Sequence, residues 1–199
     1  MIFKKLLIIL LVSVLFSQDY DIRKVNFGDS LEKVRVSESL KIFAEGDSDN
    51  GYMLAYIGKV AGLDTYIVYS FFDNQLINCM YAFDEKHLGN DNGHMTDYEK
   101  VKKILIKKYG EPKSINSKEH YWSDTLFKDD YESWGLAVSI GHLTIGNEFE
   151  SIGRSGNNIK IRHKLMGSNY KVNHAIVYYD VQLSSEKDKV DDEDELDDF

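Results

Sequence analysis

Cysteine and proline are almost missing from this chain, with one of each in 199 residues. A lone Cys79 cannot close an intrachain disulfide, so the fold must stand on its core without covalent staples. The single proline, with 13% aromatic residues, argues for an ordered, strand-rich body. Long apolar runs are missing too. The run Leu6 to Phe16 has eleven residues, against the roughly 20 that a bilayer-spanning helix needs. No clustered basic surface accompanies the net charge of −9, which excludes a nucleic-acid footprint. Metal-ligand spacing is absent as well. The histidines at 87, 94, 120, 142, 163 and 174 form no H-x-H or H-x-x-x-H pair, and Cys79 has no partner cysteine. No cofactor is expected.

What is present begins with an export signal. Lys4 and Lys5 precede the apolar run, and Ser17 offers a small residue before Gln18-Asp19, the order of a secretory signal. The sequence therefore predicts a signal over 1–17 and a secreted or periplasmic chain starting near Gln18. Leu15 is larger than the usual residue three before the cut, so an uncleaved anchor is the alternative. No cysteine follows the run to carry a bacterial lipid anchor.

The charge is uneven. Segment 186–199 holds nine acids and two lysines, which leaves the body at about −4 once the two signal lysines are set aside. Residues 184–199 (SSEKDKVDDEDELDDF) are too charged to offset the entropy of ordering and read as a disordered tail. Solvation is its simplest role; weak Ca²⁺ binding and a basic partner are the others. Phe199 follows acids rather than alternating apolar residues, unlike the end of an outer-membrane barrel.

Between these ends, the pattern predicts an α+β domain over 18–183. Asp29 or Ser30 caps a helix over LEKVRVSESL, with Asp29 and Glu32 spaced as a capping box and Leu31 and Val34 facing inward. The loop 45–51 closes it. Strands follow at 52–60, 64–72 and 75–83. Asp73-Asn74 forms a two-residue hairpin turn that pairs Phe72 with Gln75, Val68 with Cys79 and Tyr66 with Tyr81. Both faces of that hairpin are apolar enough to predict cover on both sides.

The helix TDYEKVKKILIKKYG takes Thr96 as N-cap with Glu99 closing the box. Tyr98, Val101, Ile104, Leu105 and Tyr109 share its inner face, and Gly110 and Pro112 end it. Strand-like pieces return at 121–122, 134–140, 158–165 and 172–181, with a turn at 166–169. In 158–165 the alternation puts His163 in the apolar register, as a hydrogen-bonded core residue. The chain thus reads as a helix plus β-meander twice, over about 28–84 and 96–181.

Two resemblances bear on function. Phe27-Gly28-Asp29-Ser30-Leu31 matches the opening block of the GDSL serine esterases and would imply Ser30 as nucleophile. That block should follow a buried parallel strand, whereas residues 21–26 (DIRKVN) are too polar for one. Gly89-Asn90-Asp91 and Asp84-Glu85-Lys86-His87 only shadow the family's later blocks, and in the wrong order. A helix start explains the same residues better.

The pieces GDSLEKV (28–34) and LIKKYGEP (105–112) are similar to helix-plus-antiparallel-sheet modules of small outer-membrane assembly lipoproteins and the β-lactamase-inhibitor-protein-like fold. This chain departs from the lipoproteins in lacking the anchor cysteine and in being about twice their module. The resemblance implies a binding scaffold rather than an enzyme. No catalytic residue stands out otherwise. Cys79 falls among apolar residues, as an inert buried thiol does, and DSDNG (47–51) and DNG (91–93) lack the order of a calcium loop and read as turns. The expected function is an exported, non-enzymatic binding or envelope-associated protein, with a protein or small-ligand partner. The alternative is a Ser30 esterase.

Overall fold

The computed structural model describes residues 20–48, 51–89, 91–113 and 119–187. The expected signal lies outside the described residues, as do residues 188–199 of the expected tail and Asn90 of the esterase-like piece.

The chain is α+β, and its frame is one antiparallel sheet of eight strands. These are β1 (Ile42–Ser48), β2 (Gly51–Val60), β3 (Leu63–Phe72), β4 (Gln75–Phe83), β5 (His120–Trp122), β6 (Leu143–Ile152), β7 (Asn158–Ser168) and β8 (Lys171–Asp180). Their order across the sheet is β1-β2-β3-β4-β8-β7-β6-β5, so two sequential runs meet where β4 pairs with β8. The helices are α1 (Leu31–Ser37), α2 (Asn92–Tyr109), α3 (Trp134–Ser139) and a helical stretch at 181–187, here α4.

Local chemistry sets the hairpins. Ala61-Gly62, Asp73-Asn74 and Asn169-Tyr170 each have positive φ at both residues, between 49° and 79°. That is the type I′ geometry whose twist matches the flanking strands. Phe72 does face Gln75, as the turn predicts, but the register then slips. Ile77 is an extra residue in β4, so Tyr69 faces Cys79 and Ile67 faces Tyr81, one step from the expected pairing. A bulge of this kind cannot be read from turn length. It lets Leu76 and Cys79, three apart, both point into the core.

Among the described residues, α1, α2 and α3 pack on one face of the sheet. Val34 of α1 and Val101 and Leu105 of α2 join Tyr56, Ile67, Tyr69, Cys79, Ile161 and Tyr178 in the main core. A second cluster sets Met95 and Tyr98 of α2 with Ala137 and Val138 of α3 over Leu143, Ile145 and Leu165. Each fully buried aliphatic or aromatic here contributes about 1.5–3 kcal/mol through burial. The sequence predicts cover on both faces; among the described residues α1, α2 and α3 pack on one.

Several boundaries differ from the sequence reading. Residues 45–48 belong to β1 and not to a loop. Ser30, rather than Asp29, caps α1: its Oγ accepts the Lys33 N–H at 3.4 Å, while Asp29 accepts from the Asn26 backbone and from Lys33 Nζ. Helix α2 starts at Asn92, so Thr96 is an interior residue whose hydroxyl donates back to the Asn92 carbonyl. DNG at 91–93 is that helix's start, and Ile104 faces outward.

Residues 134–139 are helical, not a strand. Their backbone lies so close to the sheet that a Cβ on Gly167 would sit 2.5 Å from the Val138 carbonyl oxygen. Strand β6 is unforeseen, and β7 runs through 166–168, leaving only Asn169-Tyr170 as the turn. The expected tail at 184–187 is helical, because buried Asp180 accepts the Gln182 and Leu183 N–H groups at 2.8 and 3.0 Å and so caps α4.

Candidate functional site: an open sheet face over a buried polar network

Strict alternation along the strands gives the sheet a second face. Three rows of cross-strand neighbours run over it from β2 to β6. One is Ala55–Val68–Met80–Val177–Arg162–Glu148, the next Ile57–Tyr66–Ala82–Ala175–Lys164–Gly146, and the third Met53–Ser70–Asn78–Tyr179–Lys160–Glu150. The β2–β4 end of these rows is apolar. Phe43 of β1 extends it, 58% exposed and 5.1 Å from the Tyr66 ring, and Ile57 is 51% exposed.

The β6–β8 end is charged. Arg162 donates from Nε to Glu148 Oε2 at 2.9 Å while its guanidinium lies over the Tyr179 ring. Lys160 reaches the same carboxylate at 3.4 Å, and Lys113 pairs with Glu150. Lys164 faces Gly146 and has no ion pair among the described residues. Burial raises the Tyr179 phenol above its ordinary pKa, and the neighbouring Arg162 moderates that rise. Four cations against two carboxylates leave this end positive.

Beneath β6–β8, on the covered face, lies a polar network that the sequence does not announce. His163, wholly buried, is 2.8 Å through Nε2 from Nε2 of His174, so one ring donates and the other accepts. Tyr98 of α2 stacks on His163 at 4.1 Å, and its hydroxyl accepts from Asn147 Nδ2 at 2.5 Å. Asn147 also donates to Glu119 Oε1, which receives Lys102 Nζ at 2.5 Å.

Burial holds both histidines neutral. It pushes His163 well below its ordinary pKa, helped by His174 and Lys102, and takes His174 down to about 3. Burial alone would raise Glu119, but hydrogen bonds from Lys102 and Asn147 bring it below its usual value. Nearby, His87 bonds Asp97 at 2.7 Å and meets the His94 ring edge-on. Tertiary structure thus gathers four histidines that the sequence scatters. Among the described residues, however, no group of three His, Cys, Asp or Glu side chains could hold a metal ion.

The other sequence candidates fall elsewhere. Ser30 sits at the α1 start, where Gly28 and Asp29 bond the backbone of Leu76, and no hydrogen bond among the described residues joins it to a histidine. Cys79 is fully buried beneath Tyr69 and Tyr81, and burial drives its thiol pKa well up, the opposite of an activated nucleophile. His163 occupies the core position expected of it, with His174 as partner. No described helix is long and apolar enough to cross a membrane.

The open face escaped the sequence reading because its apolar members alternate with core residues on the same strands. The signal that could have found it is the run of cations at alternate positions in β7, Lys160, Arg162 and Lys164. Comparison with protein-family models, with curated proteins and with solved structures finds no match to this chain.

Proposed function

We propose that this is an exported, non-enzymatic binding protein of the cell envelope that docks a protein partner on the open face of its sheet. The observation that carries the reading is the face itself, half apolar and half charged, on which α1, α2 and α3 do not pack and only α4 borders the β8 end among the described residues. Eight strands spaced about 4.8 Å apart make a surface roughly 34 Å across. That accommodates the roughly 800 Å² per partner of a standard protein interface. Export rests on the Lys4-Lys5 and Leu6 to Phe16 pattern.

In this reading α1 with β1–β4, and α2 and α3 with β5–β8, are tandem helix-plus-meander modules. The strand order, in which each run is sequential, supports that division. The similarity of 28–34 and 105–112 to binding-scaffold modules supports it as well.

The test is crosslinked capture from envelope extract with the tagged chain and its Val68→Asp and Met80→Asp variants, both on the outer face. The reading expects saturable capture that is lost in both variants while their unfolding midpoints stay close to wild type. Capture that persists in both variants would move the site off this face. Turnover of a substrate, abolished by one substitution, would replace binding by catalysis.

A further inference from the structure

The charged end of the open face has a complementary segment in the same chain. We propose that the acidic segment 188–199 docks in cis across β7 and β8 on this face, over Lys164, Arg162 and Lys160, and so competes with the external partner. The proposal rests on the open face being the binding surface.

Three observations meet here. The first is charge: segment 188–199 carries eight acids and one lysine, and the face opposite is the positive end of the sheet. Lys164, exposed and without an ion pair among the described residues, is the cation there left to receive a carboxylate. The second is the path of the chain. Asp180 caps α4 directly at the end of β8; Leu183 of α4 packs against the main core, while Ser184 and Lys187 turn to the outer face. Ser184 and Lys187 line a cavity of about 310 Å³ together with Ile77, Arg162, Val177 and Tyr179. The chain therefore leaves the described structure next to Arg162.

The third is reach and chemistry. Twelve residues span up to about 40 Å when extended, whereas Lys164 is two residues along β7 from Arg162, about 7 Å away. The segment also carries Val190, Leu196 and Phe199, apolar side chains that suit Val177, Met80 and Val68 beside the cations. Exposed ion pairs are individually weak. Tethering raises the effective concentration to the millimolar range, which makes weak contacts sufficient in cis and leaves them displaceable. The competing basic surface is the outer side of α2, with Lys100, Lys103 and Lys107.

Zero-length carbodiimide crosslinking of the full chain, at a concentration where it is monomeric, tests this by mass spectrometry. The expected products are intramolecular links from acids within 191–198 to Lys164 and Lys160. They should fall several-fold between 50 mM and 500 mM NaCl, as screening predicts, and the Lys164 link should be lost in Arg162→Glu. Links to Lys100, Lys103 or Lys107 instead would overturn the proposal. So would links only between two molecules, or none from this segment. Partner capture sensitive to Val68→Asp, with no cis links, would remove the docked segment and leave the binding face standing.

Discussion

The two parts of the core beneath this sheet are built on different principles. Under β2–β4 the interior is apolar and aromatic, with Leu54, Tyr56, Ile67, Tyr69 and Phe71 all buried and Tyr56 edge-on to Tyr69. The polar groups there are few: Tyr69 donates to the buried Glu38 side chain at 2.5 Å, Glu38 also takes Arg23 at 2.7 Å, and the Tyr56 hydroxyl is buried without a partner among the described residues. Under β6–β8 the interior instead holds His163, His174 and Asn147: the two imidazoles bond each other through Nε2 while His163 Nδ1 is left without a partner among the described residues, and Asn147 donates to Tyr98 and Glu119. The first part stabilises by burial, which is insensitive to pH. The second adds hydrogen bonds whose worth depends on keeping two imidazoles neutral. One sheet therefore carries a pH-indifferent half and a pH-sensitive half.

The largest expected effect breaks the first half. Ile67→Ala, at a site with no exposure, should cost about 2–5 kcal/mol in urea unfolding, through lost burial and the cavity left behind. That loss should be the same at pH 8 and pH 5.5. A cost that grows on acidification would mean the two halves are not separable.

The next effect belongs to the second half, and its sign follows from the depressed folded-state values of His163 and His174. The unfolded chain takes up protons at these residues near pH 6.5, while the folded chain resists them. Stability should therefore be full above about pH 7 and decline as pH falls below 6.5. The decline should continue toward the folded value, about 3 for His174. At pH 5.5 each histidine should already have cost about 1.4 kcal/mol. The paired change His163→Leu with His174→Leu should flatten this part of the pH profile in thermal or urea unfolding. An unchanged slope would assign the acid sensitivity elsewhere.

The smallest effect lies at the edge of the first half. Ser30→Ala removes the cap of α1, where Oγ holds the Lys33 N–H, and should lower stability by about 1 kcal/mol at every pH. A fluorophosphonate probe should label neither the wild type nor the variant. Labelling of the wild type alone would make Ser30 a nucleophile and reverse the reading of that residue.

How legible each region was depends on how local its causes are. Asp73-Asn74 sets a hairpin because two adjacent residues adopt left-handed φ, and that much can be read from the dipeptide. The alternation of β7 is legible because its outer positions are charged and its inner ones apolar. Strand β6 escaped notice because Asn147 and Glu148 are both buried, one in the inner network and one under Arg162 and Lys160, so polarity no longer reports facing. The run Trp134–Ser139 is short and apolar, a pattern that serves strand and buried helix equally, and only its packing on α2 and β7 makes it helical. The open face was invisible for a related reason: whether a half-apolar row is covered depends on elements distant in sequence.

Residue order alone therefore settled the antiparallel α+β character, the hairpin at 73–74, the helix ending at Gly110 and the core placement of His163. Propensity, turn geometry and periodicity act over a few residues. Tertiary structure decided the bulge at Ile77, the meeting of β4 with β8, the gathering of His87, His94, His163 and His174, and the packing of α1, α2 and α3 on the same face of the sheet. Each of these arises from contacts between segments tens of residues apart, where packing and buried hydrogen bonding outweigh local preference.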